Sequence, residues 1–151
     1  MKTKTFVSAV ALISLTSCTP NSSSSISIKT PSVINTSVNH DYIEIKDYRT
    51  SWYEFFDIDL DEYFVYFFSR TCSHCESFKN TIIEIALSRR NIYFVEDSDE
   101  VKFTDDISKT IGLTSIEDFV ILGFPTLVEI SNHKITKNVA GTKNINSLLF
   151  S

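Results

Sequence analysis

Tyr63-Phe64-Val65-Tyr66-Phe67-Phe68-Ser69-Arg70-Thr71-Cys72-Ser73-His74-Cys75 is the stretch from which the rest of this chain is read. Its first six residues are β-branched or aromatic without a break, the composition of a short buried strand. Behind the cysteines, Glu76 to Arg90 spaces Phe78, Ile82, Ile85 and Ala86 for one helical face. A strand, a tight turn holding two cysteines and then a helix put the first sulfur at a helix N-terminus. Free backbone N–H groups and the helix dipole favour a thiolate there, so the position suits a redox-active cysteine.

Outward from this unit, Tyr42–Lys46 alternates polar and apolar and is expected to be an edge strand, and Ser51-Trp52-Tyr53-Glu54 has the spacing of a capping box opening a short aromatic helix. Ile92–Glu96 is a further strand. Thr104 can cap a helix over Asp105–Ile111 that stops at Gly112, and Ser115–Val120 is expected to form a second short helix. Gly123-Phe124-Pro125-Thr126 precedes the strand Leu127–Ile130. Ser131–Lys134 turns into Ile135–Ala140, and Gly141 opens a final helix over Asn144–Phe150. Strands separated by helices call for parallel neighbours, while the last two pair antiparallel. Trp52, Phe55, Phe56, Phe64 and Phe67 are expected in the core.

The N-terminus carries Lys2 and Lys4, an apolar run from Phe6 to Leu15, and then Leu15-Thr16-Ser17-Cys18. This is a secretory pattern, and the run is too short to span a bilayer. The four residues ending at Cys18 resemble a bacterial lipobox, which implies lipidation of Cys18 and a place on the outer, extracytoplasmic face of a bacterial cell membrane. An ordinary signal peptide or an uncleaved anchor, with Cys18 incidental, also keeps the domain outside the cytoplasm. Four consecutive serines and further Ser, Thr and Asn residues follow, the composition of a solvated tether. The expected organisation is a signal peptide over 1–17, a Ser-rich tether over 18–41 and one domain over 42–151.

Of the three cysteines, lipidation of Cys18 would leave Cys72 and Cys75 as the free pair. Two cysteines this close staple no large loop, so chemistry explains them better than stability does. The net charge of −5 becomes more negative when the signal peptide and its two lysines are removed. Such a chain is a poor match for nucleic acid, whose phosphates need basic patches. No heptad or spare apolar helix face is visible, and a monomer is expected.

Two motifs together make the chain similar to the thioredoxin-fold disulfide oxidoreductases. One is the strand–Cys72-Ser73-His74-Cys75–helix unit; the other is Gly123-Phe124-Pro125-Thr126 leading into an apolar strand, which resembles that family's cis-proline loop. The resemblance covers about Tyr42–Ser151. It implies an α/β fold, a thioredoxin-like three-layer sandwich with a central mixed sheet flanked by helices. It also implies that Cys72 is the exposed nucleophile, Cys75 the buried resolving thiol and Pro125 a cis residue packed on the sulfurs. Phe124, Thr126 and Thr71 are then expected to meet the substrate, Phe124 through its backbone. The redox centre is the Cys72–Cys75 disulfide itself, with no other cofactor and no metal.

Several positions depart from the family pattern. Thr71 stands where reducing members carry tryptophan, Tyr66 where they bury an acid and Asn80 where they often carry proline, and the chain between Glu96 and Pro125 is longer than in minimal members. His74, beside the helix start, and Arg70 would stabilise thiolate and make the disulfide more oxidising. The expected function is disulfide exchange with cysteine-containing secreted or envelope proteins, inclined towards oxidase or isomerase, with a membrane redox partner recharging the pair. The alternatives are a tethered reductase, serving cytochrome maturation or disulfide reduction, and a non-catalytic binding module whose acidic residues (Glu96, Asp97, Asp99, Glu100, Asp105 and Asp106) attract a basic partner. Zinc binding would need two ligands beyond the CxxC, and neither His40 nor His133 is well placed to be one.

Overall fold

The computed structural model describes residues 38–88 and 91–151. The signal peptide, Cys18 and most of the tether lie outside the described residues, as do Arg89 and Arg90. Four strands form one sheet: β1 (Glu62–Phe68), β2 (Ile92–Glu96), β3 (Thr126–Ser131) and β4 (Lys134–Ala140), in the order β2-β1-β3-β4. Two helices accompany them, α1 (Ser73–Ser88) and α2 (Thr142–Leu149).

β1 lies inside the sheet because both of its faces are apolar. Tyr66 and Phe68 point to one face, where they pack with Phe78, Ile82, Ile83 and Ala86 of α1, Ile145 and Leu149 of α2, and Tyr42. Tyr63, Val65 and Phe67 point to the other, against Trp52, Phe55, Phe119 and Ile121. β1 runs parallel to β2, with Phe64 opposite Ile92, and antiparallel to β3, with Phe67 opposite Thr126. The fold is the thioredoxin-like α/β sandwich with a mixed sheet. The antiparallel β1–β3 pair corrects the expectation of parallel neighbours there. The connection from β2 passes β1 but leaves and returns at one end of the sheet, so β3 enters antiparallel.

The helical layer on the α1 side is regular, and the opposite layer is not. Trp52–Phe56 forms turns instead of the expected helix, because the Ser51 hydroxyl bonds the Glu54 carboxylate (2.8 Å) and caps no amide. Its rings, with Phe119, nonetheless roof the sheet: Phe119 lies 5.0 Å from Phe55, 5.2 Å from Trp52 and 5.5 Å from Phe67 between ring centroids. The expected helix at 105–111 shrinks to a 3-10 turn, Ile107–Thr110, capped by Asp106. It ends because Gly112, at φ 92°, turns the chain to pair with the outer edge of β4: Gly112 N–H donates to Ile135 O, and Ile135 N–H to Leu113 O. The expected helix at 115–120 is also absent. Ser115 spends its hydroxyl on Glu117, and Ile121 is drawn into a bridge with Phe103. Asn138 ties this segment to the sheet through Thr110 Oγ1 (3.0 Å) and Val120 O (3.2 Å).

Tyr42–Tyr48 is a 3-10 helix and not the expected edge strand. Asp41 accepts from the Ile43 amide while Glu44 reaches back to the Asp41 amide, and this capping box holds the first turn helical. The edge position beside β2 falls to the next residues, as a parallel bridge between Arg49 and Phe94 and a bond from Thr50 N–H to Phe94 O. At the opposite edge, Asn132 and His133 both take positive φ (50° and 56°), the geometry of a two-residue hairpin turn. A register shift between Glu129 and Ile130 makes Thr136 an extra residue in β4. Ile135 and Asn138 therefore face the irregular layer, while Val139 packs on the helical one.

Phe119 holds the least regular segment by side-chain packing. Phe119→Ala is expected to cost about 3–4 kcal/mol in urea unfolding and to make residues 97–122 the first site of limited proteolysis.

Candidate active site

Three connections meet at the end of the sheet where β1 stops: the Ser69–Cys72 loop, the segment leaving β2, and Gly123–Pro125 entering β3. Their meeting places Cys72 and Phe124 in contact, with the Cys72 thiol donating to the Phe124 carbonyl at 3.4 Å. The Phe124–Pro125 peptide is cis, Pro125 is buried, and its carbonyl accepts from Gly141 N–H (2.8 Å). Cys72 N–H donates to Ser69 O, and Cys72 O accepts from Glu76 N–H as α1 begins.

The two sulfurs occupy unlike surroundings. Cys72 is half-buried, and the Cys75 backbone N–H donates to its sulfur at 3.2 Å, which is the helix-start amide contact that the sequence implies. Cys75 is fully buried. Burial pushes the Cys75 thiol up to about 12, its hydrogen bond with Cys72 adds to the rise, and the Ser69 backbone offsets part of it. One sulfur is thus offered to solvent with an amide donor, and the other is kept protonated beneath it.

His74 is exposed and lines a groove of about 260 Å³ with Gly141, Thr142, Lys143 and Asn144. Thr71 is exposed, its hydroxyl bonded to that of Ser69 (2.9 Å). Thr126 is fully buried and gives its hydroxyl to Gly123 O (2.7 Å), so its side chain shapes the proline loop. Phe103, exposed, stands edge-on to Phe124 at 5.6 Å. Among the described residues, no group of three or more His, Cys, Asp or Glu is arranged to hold a metal.

Arg70 is not directed at the sulfurs. Its Nε donates to Glu96 Oε1 at 2.6 Å, Arg49 bonds the other oxygen of the same carboxylate, and the Arg70 guanidinium lies 5.3 Å from the Tyr42 ring centroid. The expected extra positive potential at Cys72 is therefore largely spent on Glu96. Burial alone would raise the Glu96 carboxyl, but the two guanidinium groups outweigh it and hold the group below its ordinary range. Sequence reasoning missed Tyr42 as a neighbour of the thiols. The Asp41-Tyr42-Ile43-Glu44 spacing of a capping box was the signal available.

No family model and no curated protein matches the chain. Solved structures do. Spinach chloroplast thioredoxin f (short form) is 14% identical over 67% of this chain and 86% of its own, at a TM-score of 0.48. Mitochondrial thioredoxin 3 of Saccharomyces cerevisiae (oxidized form) is 20% identical over 67% and 88%, at 0.45. Plasmodium falciparum thioredoxin is 21% identical over 66% and 92%, also at 0.45.

Two measurements check the site. Iodoacetamide at neutral pH is expected to label Cys72 while Cys75 reacts more than about tenfold more slowly, with the difference abolished in denaturant. Glu96→Gln is expected to lose about 1 kcal/mol at neutral pH. Because the folded-state value is depressed, the stabilisation by Glu96 is complete above its unfolded value of 4.5 and is lost as pH falls through the lower folded one. The variant and parent should therefore converge in acid.

Proposed function

We propose that this protein is a thiol–disulfide oxidoreductase, tethered by lipid to the extracytoplasmic face of a bacterial membrane, that exchanges disulfides with secreted or envelope proteins in the oxidase or isomerase direction. The observation that carries the redox reading is the half-exposed Cys72 sulfur, held by the Cys75 amide above a buried Cys75 thiol. In the oxidised pair, a client thiolate attacks Cys72 Sγ, the Cys72–Cys75 bond breaks, and Cys75 departs and takes up a proton. A second client thiolate then attacks the client sulfur of the mixed disulfide. Cys72 is released as a thiolate, the client gains a disulfide, and two electrons end on the pair with the proton on Cys75. A membrane redox partner reoxidises it. The protein acts as a monomer and needs no further cofactor.

The backbone of Phe124, whose carbonyl already meets Cys72 just ahead of β3, supports docking of a client segment beside the sulfur. The tethered location rests on Lys2, Lys4, the apolar run to Leu15 and Cys18. His74 supports the oxidising direction, since an imidazole beside the helix start favours the reduced, thiolate-bearing form. The pairing of Arg70 with Glu96 favours a second reading, a tethered reductase, because it takes one cation away from the sulfur.

The test is a titration of the Cys72–Cys75 couple in the full chain against glutathione. The expected potential lies above the ~−270 mV of a thioredoxin-type reductant and falls in His74→Ala. A value at or below that mark establishes the reductase reading, and failure to form a reversible disulfide removes both.

A further inference from the structure

Among the described residues, the Tyr42 and Tyr66 hydroxyls are buried without a hydrogen-bond partner. A buried, unpaired hydroxyl is costly, and phenylalanine at either position would keep the packing without that cost. The rings are fixed, since both stack on Phe68, Tyr42 at 4.2 Å and 17° and Tyr66 at 6.1 Å and 14°. Tyr66 is further held by Phe94 of β2 and Phe78 of α1. Both phenols belong to the cluster that buries Cys75, and of the titratable groups around each the Cys75 thiol acts on it most strongly. The remaining titratable or charged groups facing this pocket are Cys72, Glu76 and Arg70.

Burial raises both phenols, so each stays protonated wherever thiol exchange runs. A protonated phenol cannot act as a base, but it can donate. We propose that the Tyr66 hydroxyl donates a hydrogen bond to the Cys75 sulfur as that sulfur becomes a thiolate, with Tyr42 closing the same buried pocket as an auxiliary donor. The step served is Cys75–SH attacking Cys72 Sγ of a mixed disulfide. The Cys72–Cys75 bond forms, the bond from Cys72 to the other sulfur breaks, and the proton lost by Cys75 ends on the departing thiol. Charge on Cys75 is met by a neutral donor, so no buried carboxylate is needed. The use of this step in exchange rests on the function proposed above; the hydrogen bond itself is a property of the thiol pair.

The test uses the full chain carrying Cys18→Ser, treated with an aromatic disulfide reagent whose released thiolate is coloured. Cys72 releases one equivalent on forming the mixed disulfide, and Cys75 releases a second on resolving it. In Tyr66→Phe, the first phase is expected to be unchanged and the second about tenfold slower, with its pH profile displaced upward by about one unit. Tyr42→Phe should slow the second phase less. An unchanged second phase in a Tyr66→Phe protein at least as stable to urea as the parent overturns the proposal, because the phenol then only fills space. If Tyr66→Phe does not fold, Tyr42→Phe decides, with a slower second phase supporting the pocket and an unaltered one overturning it. If the parent itself shows no second phase, the exchange function fails. The hydrogen bond is then judged by Cys75 alkylation in a Cys72→Ser background, which Tyr66→Phe must slow about tenfold for the proposal to stand.

Discussion

A strand with large rings on both faces must be roofed twice, and this requirement organises the domain. β1 carries Tyr66 and Phe68 on one side and Tyr63, Val65 and Phe67 on the other, so it is enclosed between two layers and flanked by β2 and β3. Its C-terminal end consequently opens at the middle of the sheet, with the chain leaving β2 on one flank and entering β3 on the other. Cys72 follows that end within a short loop. The meeting of Cys72 with Phe124 is thus a consequence of where an aromatic strand can be buried.

The same enclosure separates the two sulfurs by environment. One helical turn carries the chain from the rim at Cys72 to the interior at Cys75, beneath Tyr42 and Tyr66. The division of labour between an accessible sulfur and a withheld one needs no special group at the rim. It follows from starting a helix at the mouth of a core.

The strands and both long helices were legible in the sequence, because each is specified by its own apolar pattern. So was the loop at Pro125, whose short motif sits directly before a buried strand. The irregular layer was not legible. Ser51-x-x-Glu54 and Thr114-Ser115-Ile116-Glu117 both offer caps, but the Ser51 and Ser115 hydroxyls meet carboxylates instead of amides, and the choice between those partners is tertiary. Tyr42–Lys46 alternates like a strand, yet the Asp41–Glu44 box and the stacking of Tyr42 on Phe68 impose a helical turn. Arg70 was assigned to the sulfurs by nearness in sequence, whereas Glu96, distant in sequence and adjacent across β1 and β2, holds it. Thr126 has the right position in its motif, but its burial was not visible from neighbours alone.

The bulge in β4 reads differently when viewed as parity. A strand assigns its residues to two faces by odd and even count, and Thr136 is the residue at which that count is reset. Ile135 and Asn138 share a face only because of this reset. Were the same seven residues to run in strict alternation, β4 would be no shorter, yet it would deliver Ile135 to one layer and Asn138 to the other. The composition would be untouched, and the address of each side chain beyond the bulge would be wrong.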